Sequence, residues 1–401
     1  MFDIPFRAKN RVPSLVSGIL RSFALPMPVA MLLIAVLLGL IAGMPSDRMI
    51  ATIGAGFGAS LGGFALILIP SFTLAAAMAQ AGNAVGTPGL ATVLAPLTGA
   101  MMVCPDTGYA TLSSVAGHRK LSVALGTFAG FKLLVPAGPA IVATALGGLT
   151  PKLAAAGAVI FIPCWIVGLA YARLIENPGR PEGGKEWSFK LPAALAVPLG
   201  AMIVLIAAGG IFGKALGEQP LLGFAINPKG ALLIAAFLAL CFLDPDSRVQ
   251  AIESGVRRTA PLLLVIGAAS AFGLMLAEVV PLDRLARWLV ETGLVLPSLF
   301  LLAALFKVSK GSSMATFAGT VGIVAPLMPT LGISPEAATL ALCAGAFVTV
   351  LPNDSFYWLV ARDAFTDDEG GRAARVLAIG PALQGLTALI ALQLAVSFGW
   401  L

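Results

Sequence analysis

Charge is what this sequence has least of. Of its 401 residues only 11% are Asp, Glu, Lys or Arg, while 58% are hydrophobic. A soluble domain carries roughly 25% charged residues, so this chain could not solvate the surface of a water-soluble protein. Histidine occurs once, at His118, which excludes a His-rich metal site. The four cysteines (Cys104, Cys164, Cys241 and Cys343) lie singly in apolar segments without a CxxC pair. That excludes a secreted disulfide framework and leaves them as packing residues. No GxxxxGK loop is present, which argues against ATP-driven transport by this chain alone. No polar stretch is long enough for a soluble catalytic domain; the longest, Arg173 to Lys190, reads as a loop. No cofactor or metal is expected. The net charge of +6 is assigned to cytoplasmic loops rather than to nucleic-acid binding.

Long apolar runs take the place of charge. A helix crossing the hydrocarbon core needs about 20 apolar residues. Such runs fall at about 24–43, 53–81, 121–148, 153–172, 191–211, 230–243, 261–280, 337–361 and 376–398. Two further stretches, about 90–116 and 296–324, are interrupted by Pro105-Asp106-Thr107-Gly108 and by Ser309-Lys310-Gly311-Ser312-Ser313. Residues 1–23 are polar and basic and the first apolar run is long enough to span, so no cleavable leader is expected. The pattern is that of an all-α polytopic membrane protein.

Basic residues decide whether the interrupted stretches cross the bilayer. With both read as re-entrant hairpins and the N-terminus inside, 16 of the 25 Lys and Arg residues are cytoplasmic and 6 are outside. The remaining 3, Lys132, Lys307 and Lys310, lie within the membrane. This is the asymmetry of the positive-inside rule, and it puts the C-terminus outside. The same topology contains a duplication. A first repeat, 24–172, holds a hairpin at about 90–116 and a helix over about 121–148 broken at Pro136. A second, 230–401, holds a hairpin at about 296–324 and a helix over about 337–361 broken at Pro352. The basic N-terminus, 1–23, precedes them, and a cytoplasmic loop with a linking helix, 173–229, joins them. Order matches and orientation is opposite, the inverted-repeat plan of secondary transporters, which bind near the bilayer midplane.

Irregular backbone at membrane depth must face protein or a water-filled cavity, and half-helix N-termini there offer N–H groups and partial positive charge to an anion. Thr107 and Gly108 at one tip, with Gly311, Ser312 and Ser313 at the other, let a carboxylate approach the backbone; the competing role of such clusters is close helix packing. A mid-bilayer charge costs roughly 2.5–3.5 kcal/mol even on the milder scale. Asp106 and Asp354, each at a break, are therefore candidates to carry a coupled proton or ligate Na⁺, with helix capping the plainer alternative. Lys310 is the candidate partner of a substrate carboxylate or of one of these aspartates, against snorkelling; Lys307 and Lys132 are evenly balanced. Glu278 reads as interfacial and His118 as exposed. Tyr109, Phe356, Tyr357 and Trp358 either line the site or pack.

At these motifs the sequence resembles the gluconate permease family, the GntP-type gluconate:H⁺ symporters of the ion transporter superfamily. "KVSKGSSMATFAGTVGIVAP" is similar to the family's second hairpin, and "LPNDSFYWLV" to its His-Val-Asn-Asp-Ser-Gly-Phe-Trp stretch, so Asn353, Asp354 and Trp358 carry over. "GFGASLGGFALILIPSFTLAAAMAQAG" resembles its Gly-rich second span, and Asp106, Gly108 and Tyr109 fall where the family has an acidic residue, a Gly and an aromatic. The likeness covers about Ile53 to the end. Departures are the break Val135-Pro136-Ala137-Gly138-Pro139 without the family's histidine, Lys310 in place of a glutamine, and Pro352 before Asn353.

The resemblance implies an elevator-type fold, a homodimer, and H⁺ symport of a small hydroxy- or sugar-acid anion across the bacterial inner membrane. Thr107, Gly108, Tyr109, Lys310, Gly311, Ser312, Ser313, Asn353, Ser355, Pro136 and Gly138 would bind the substrate, and Asp106 and Asp354 would couple the proton. Na⁺-coupled carriage of a dicarboxylate is the rival within transport. A membrane-embedded enzyme is the rival outside it, and would need a metal motif, a Ser/Lys or Asp/Asp pair, or a Mg²⁺-binding acidic cluster. Asp367, Asp368 and Glu369 form the only dense acidic run and read as a solvated turn.

Overall fold

The structure, a computed structural model, describes residues 26–59, 61–80, 88–101, 104–113, 116–147, 149–176, 192–279, 288, 290–366 and 369–401. The expected basic N-terminus, most of the polar loop 173–190, and Asp367 and Asp368 lie outside the described residues. All regular structure among the described residues is helical. Seven helices make up the first part: α1 (Met27–Ile41), α2 (Ser46–Ala59), α3 (Leu61–Gln80), α4 (Pro88–Met101), α5 (Pro105–Ser113), α6 (Lys120–Leu133) and α7 (Gly138–Leu146). Then come α8 (Pro151–Ile175), α9 (Ala193–Leu216), α10 (Pro220–Ile226), α11 (Pro228–Cys241) and α12 (Pro245–Val279). The last five are α13 (Val295–Lys310), α14 (Ser313–Val324), α15 (Pro335–Gly345), α16 (Ser355–Ala364) and α17 (Gly370–Ser397).

Cap chemistry sets several starts. Thr150, Asn227 and Ser334 each precede a proline that opens a helix, and their side chains accept from Leu153 N, Lys229 N and Ala337 N at 3.1, 3.0 and 3.1 Å. Proline at the first helical position has no N–H to leave unsatisfied, and the capping oxygen satisfies a following one.

Among the described residues, six stretches are long and apolar enough to cross a membrane: Ser46–Gln80, Gly117–Leu146, Pro151–Ile175, Pro245–Val279, Ser313–Thr330 and Gly370–Ser397. The pair α10 and α11, bent by 82°, makes a seventh when counted as one span. The apolar run at 261–280 is the second part of α12, which starts at Pro245 and runs unbroken through Pro261 for 35 residues. At 1.5 Å per residue that is about 52 Å, against a hydrocarbon core of about 30 Å, so its first turns, with Arg248, Arg257 and Arg258, project beyond the membrane. Proline inside a membrane helix is tolerated where neighbours satisfy the freed carbonyl.

Packing sorts most of the helices into two groups, with α14 in contact with both. α12 lies against α1, α2, α3 and α14, and α11 bridges α3 and α9. In the other group α4 packs on α6 and α6 on α8, while α13 packs on α15 and α15 on α17; α8 and α17 lie side by side. A pair of short helices, an interrupted helix and a long helix thus occur twice in the same packing order. Glycine permits the tightest approach. A Cβ on Gly130 would stand 2.7 Å from Pro96 Cα, so α4 and α6 meet backbone to backbone.

Candidate functional site

The break between α15 and α16 is the meeting point. After Gly345 the chain leaves the helix, and Asp354 caps α16 by accepting from Phe356 N at 3.1 Å. The α5 joint reaches this break from one side. Ser355 Oγ donates to Asp106 Oδ2 at 2.6 Å, and Asp106 Oδ1 is buried without a partner among the described residues. The α13–α14 joint reaches it from another. Gly311 has φ +71°, a left-handed conformation that costs a side-chain-bearing residue 1–2 kcal/mol by rough estimate. A Cβ there would lie 2.8 Å from Asp354 N, so only glycine lets the joint rest on the break. Asn353 Nδ2 adds a bond to Val308 O at 2.9 Å, and Ser312 caps α14 by accepting from Ala315 N at 3.3 Å.

Lys307, one helical turn before Gly311, closes the assembly. Its side chain is 1% exposed and donates to Asp354 Oδ2, to Gly311 O and to Ser313 Oγ, so all three ammonium protons have acceptors. The acceptors are a carboxylate, a backbone carbonyl and a hydroxyl, a set of hard oxygens of the kind that binds hard cations. Beneath the pair, Phe128 stacks on Phe356 at 5.4 Å.

The expected site residues therefore divide. Asp106, Gly311, Ser313, Asn353, Asp354 and Ser355 come together, with Ser312 and Thr107 half-buried close to the joints; Thr107 Oγ1 lies 3.1 Å from Cys104 Sγ. Lys310 is exposed, without a hydrogen bond or ion pair among the described residues, and it is Lys307 that pairs with Asp354. The helical spacing carries this distinction. Lys307 precedes Gly311 by four residues and shares its face, whereas Lys310 adjoins the cap and points out.

Gly108 and Gly138 serve packing. A Cβ on Gly108 would meet Thr127 Cγ2 at 2.7 Å, and one on Gly138 would meet Phe317 Cε2 at 3.0 Å. Pro136 lies apart, lining a cavity of about 180 Å³ with Thr144, Asn227 and Lys229. Tyr109 is fully buried and its hydroxyl is committed, donating to Asp363 Oδ2 at 2.6 Å while Lys120 Nζ holds Asp363 Oδ1 at 2.7 Å. This Lys120–Asp363–Tyr109 clamp ties α5, α6 and α16 together and had no sequence signal, because its members are separated by up to 254 residues. Glu278 pairs with Arg48 at 3.1 Å, and His118 is exposed, as read from the sequence.

The profile described as GntP family permease matches residues 218–368, which include the second joint and the break it rests on. The high-affinity gluconate transporter of Escherichia coli is 27% identical over 376 residues, covering 82% of this chain and 86% of that protein. The gluconate permease of Pseudomonas aeruginosa is 25% identical, covering 83% and 84%. Among solved structures, the Alcanivorax borkumensis YdaH transporter superposes with a TM-score of 0.62 at 17% identity, covering 93% of this chain and 97% of that one. At that identity the likeness is one of fold.

Proposed function

Because the chain is a homologue of the gluconate permeases, we propose that it is a secondary carrier importing a gluconate-like sugar acid or hydroxy acid by H⁺ symport across the bacterial inner membrane. Its relatives are permeases, not enzymes, and its apolar helices make it a multi-pass membrane protein. The observation that carries the proposal is the meeting of two joints on one break, with Asp106, Ser355, Asp354 and the N-termini of α5, α14 and α16 gathered there.

Lengths support the re-entrant reading. At 1.5 Å per residue α4 is about 21 Å long and α13 about 24 Å, short of a core of about 30 Å; α14 gains span length only through its 3₁₀ extension to Thr330. The two groups of helices are read as a moving unit, built from oppositely oriented repeats, and a scaffold containing α12 on which a second copy dimerises. Substrate sits between the joints, its hydroxyls met by Ser355, Asn353 and Thr107 and its charge by the half-helix N-termini.

Proton coupling is favoured over Na⁺ because the ammonium of Lys307 already fills the oxygen set that a Na⁺ would need. Asp106, with one carboxylate oxygen buried and unpartnered, is the proton carrier. Proteoliposome uptake of labelled gluconate under an imposed pH gradient, with and without a Na⁺ gradient, tests this. Uptake driven by the pH gradient alone is expected; uptake requiring Na⁺, or absent under both, defeats it.

A further inference from the structure

Lys132 stands on the last turn of α6, one turn before the Pro136 break, and is fully enclosed. Its Nζ has no hydrogen-bond partner, the one buried lysine among the described residues in that condition. Three rings surround it instead: Phe317 at 4.8 Å, Phe128 at 5.0 Å and Phe131 at 5.7 Å from centroid to nitrogen. Aromatic faces offset part of the cost of a buried ammonium, but three donors without acceptors remain expensive in a low-dielectric interior. A methionine would fill the same box without that cost. Packing alone does not account for a lysine here.

Its position supplies the reason. The ring of Phe128 carries both Lys132 and, at 5.6 Å, Lys307, so Lys132 is one ring away from the second joint. The charged and titratable groups that act on it electrostatically are Lys307, Cys343 and Asp354, none of them bonded to it. Asp354 is already paired with Lys307, and Lys310 is in solvent. Phe317, the ring nearest the Lys132 ammonium, belongs to α14 and also covers Gly138 at the start of α7. The ring of Phe317 is thus in contact with both the Lys132 ammonium and the N-terminus of α7.

We propose that Lys132 is the cation that pairs with the carboxylate of the transported anion, uncovered when the ring of Phe317 leaves its ammonium. The assignment rests on the anion-carrier reading above. A desolvated ammonium discriminates charge far more strongly than one in water, which suits Lys132 rather than Lys310 to selecting an acid over its neutral analogue.

The test is binding of gluconate and of its uncharged amide, gluconamide, to the purified full chain in nanodiscs, with melting temperatures measured alongside. Wild-type protein is expected to prefer gluconate. Lys132→Met is expected to weaken gluconate binding about tenfold or more, the scale of a charge-assisted bond, with gluconamide binding unchanged and no fall in melting temperature. Lys132→Gln is expected to give the same loss. Retention of the preference in both variants overturns the assignment, as does equal loss of both ligands with a lowered melting temperature, which is the signature of a packing role. Wild-type protein that binds neither compound overturns the anion-carrier reading itself, and this assignment with it.

Discussion

Replacing Lys307 with methionine removes the charge that holds the second joint to the break. The ammonium uses all three donors, on Asp354, Gly311 O and Ser313 Oγ, and Asp354 is 5% exposed. Without Lys307 the carboxylate keeps one backbone donor, Phe356 N at 3.1 Å on Oδ1, and faces an apolar side chain on the other oxygen. Breaking a buried ion pair from one side costs about 3–5 kcal/mol, because a charge is left uncompensated. Lys307→Met should therefore lose about that much stability in denaturant titrations of the purified protein. Adding Asp354→Asn should recover most of the loss, since replacing both charges is often close to neutral. Uptake should stay absent in both.

Lys307→Ala makes the complementary case. It leaves a void lined by the same three oxygens, and Na⁺ is expected to raise its melting temperature while leaving the wild type unmoved. At a hundred times Kd a bound ion adds about 2.7 kcal/mol. Unchanged stability in Lys307→Met, a double variant no better than the single, or Na⁺ stabilisation of the wild type would each refute the reasoning.

Other substitutions separate the roles of the remaining residues. Asp106→Asn keeps the bond to Ser355 but cannot carry a proton, so uptake should be abolished while membrane insertion persists, checked by proteoliposome flux and yield. Lys310→Ala should leave uptake close to wild type and change stability by less than about 0.5 kcal/mol, as expected of an exposed side chain. Gly311→Ala should cost at least the 1–2 kcal/mol (by rough estimate) of a left-handed residue and abolish uptake, because its Cβ would push the joint off Asp354 N. Tyr109→Phe loses one hydrogen bond, about 1 kcal/mol, and should leave the affinity for substrate unchanged; a raised KM would return Tyr109 to the site.

Much of the fold could be read along the chain because bilayer physics writes itself into composition. The apolar runs near 121–148, 153–172 and 376–398 correspond to α6 with α7, α8 and α17 within a few residues. Lipid allows few alternatives to a helix for such runs. The apolar run at 261–280 covers only part of α12, because hydropathy marks where helix leaves lipid, not where it ends. Charged residues such as Arg257 and Arg258 extend α12 into water as readily as they end a span. At the site, Asp106 and Asp354 stood out as charges at breaks, and the structure places both there.

The lysines mark the limit of sequence. Lys132, Lys307 and Lys310 are alike in composition, and a hydropathy trace cannot tell a side chain that points along the joint from one that points off it. Helix phase relative to neighbouring helices sets that direction: Lys307 meets Asp354, Lys132 enters a box of phenylalanines from two helices, and Lys310 reaches solvent. The chain alone determined that this is a helical membrane protein with charged breaks, since solvation in lipid acts on each segment locally. Tertiary structure alone decided which charges pair, because a contact such as Ser355 to Asp106 spans 249 residues and exists only once the two halves have packed.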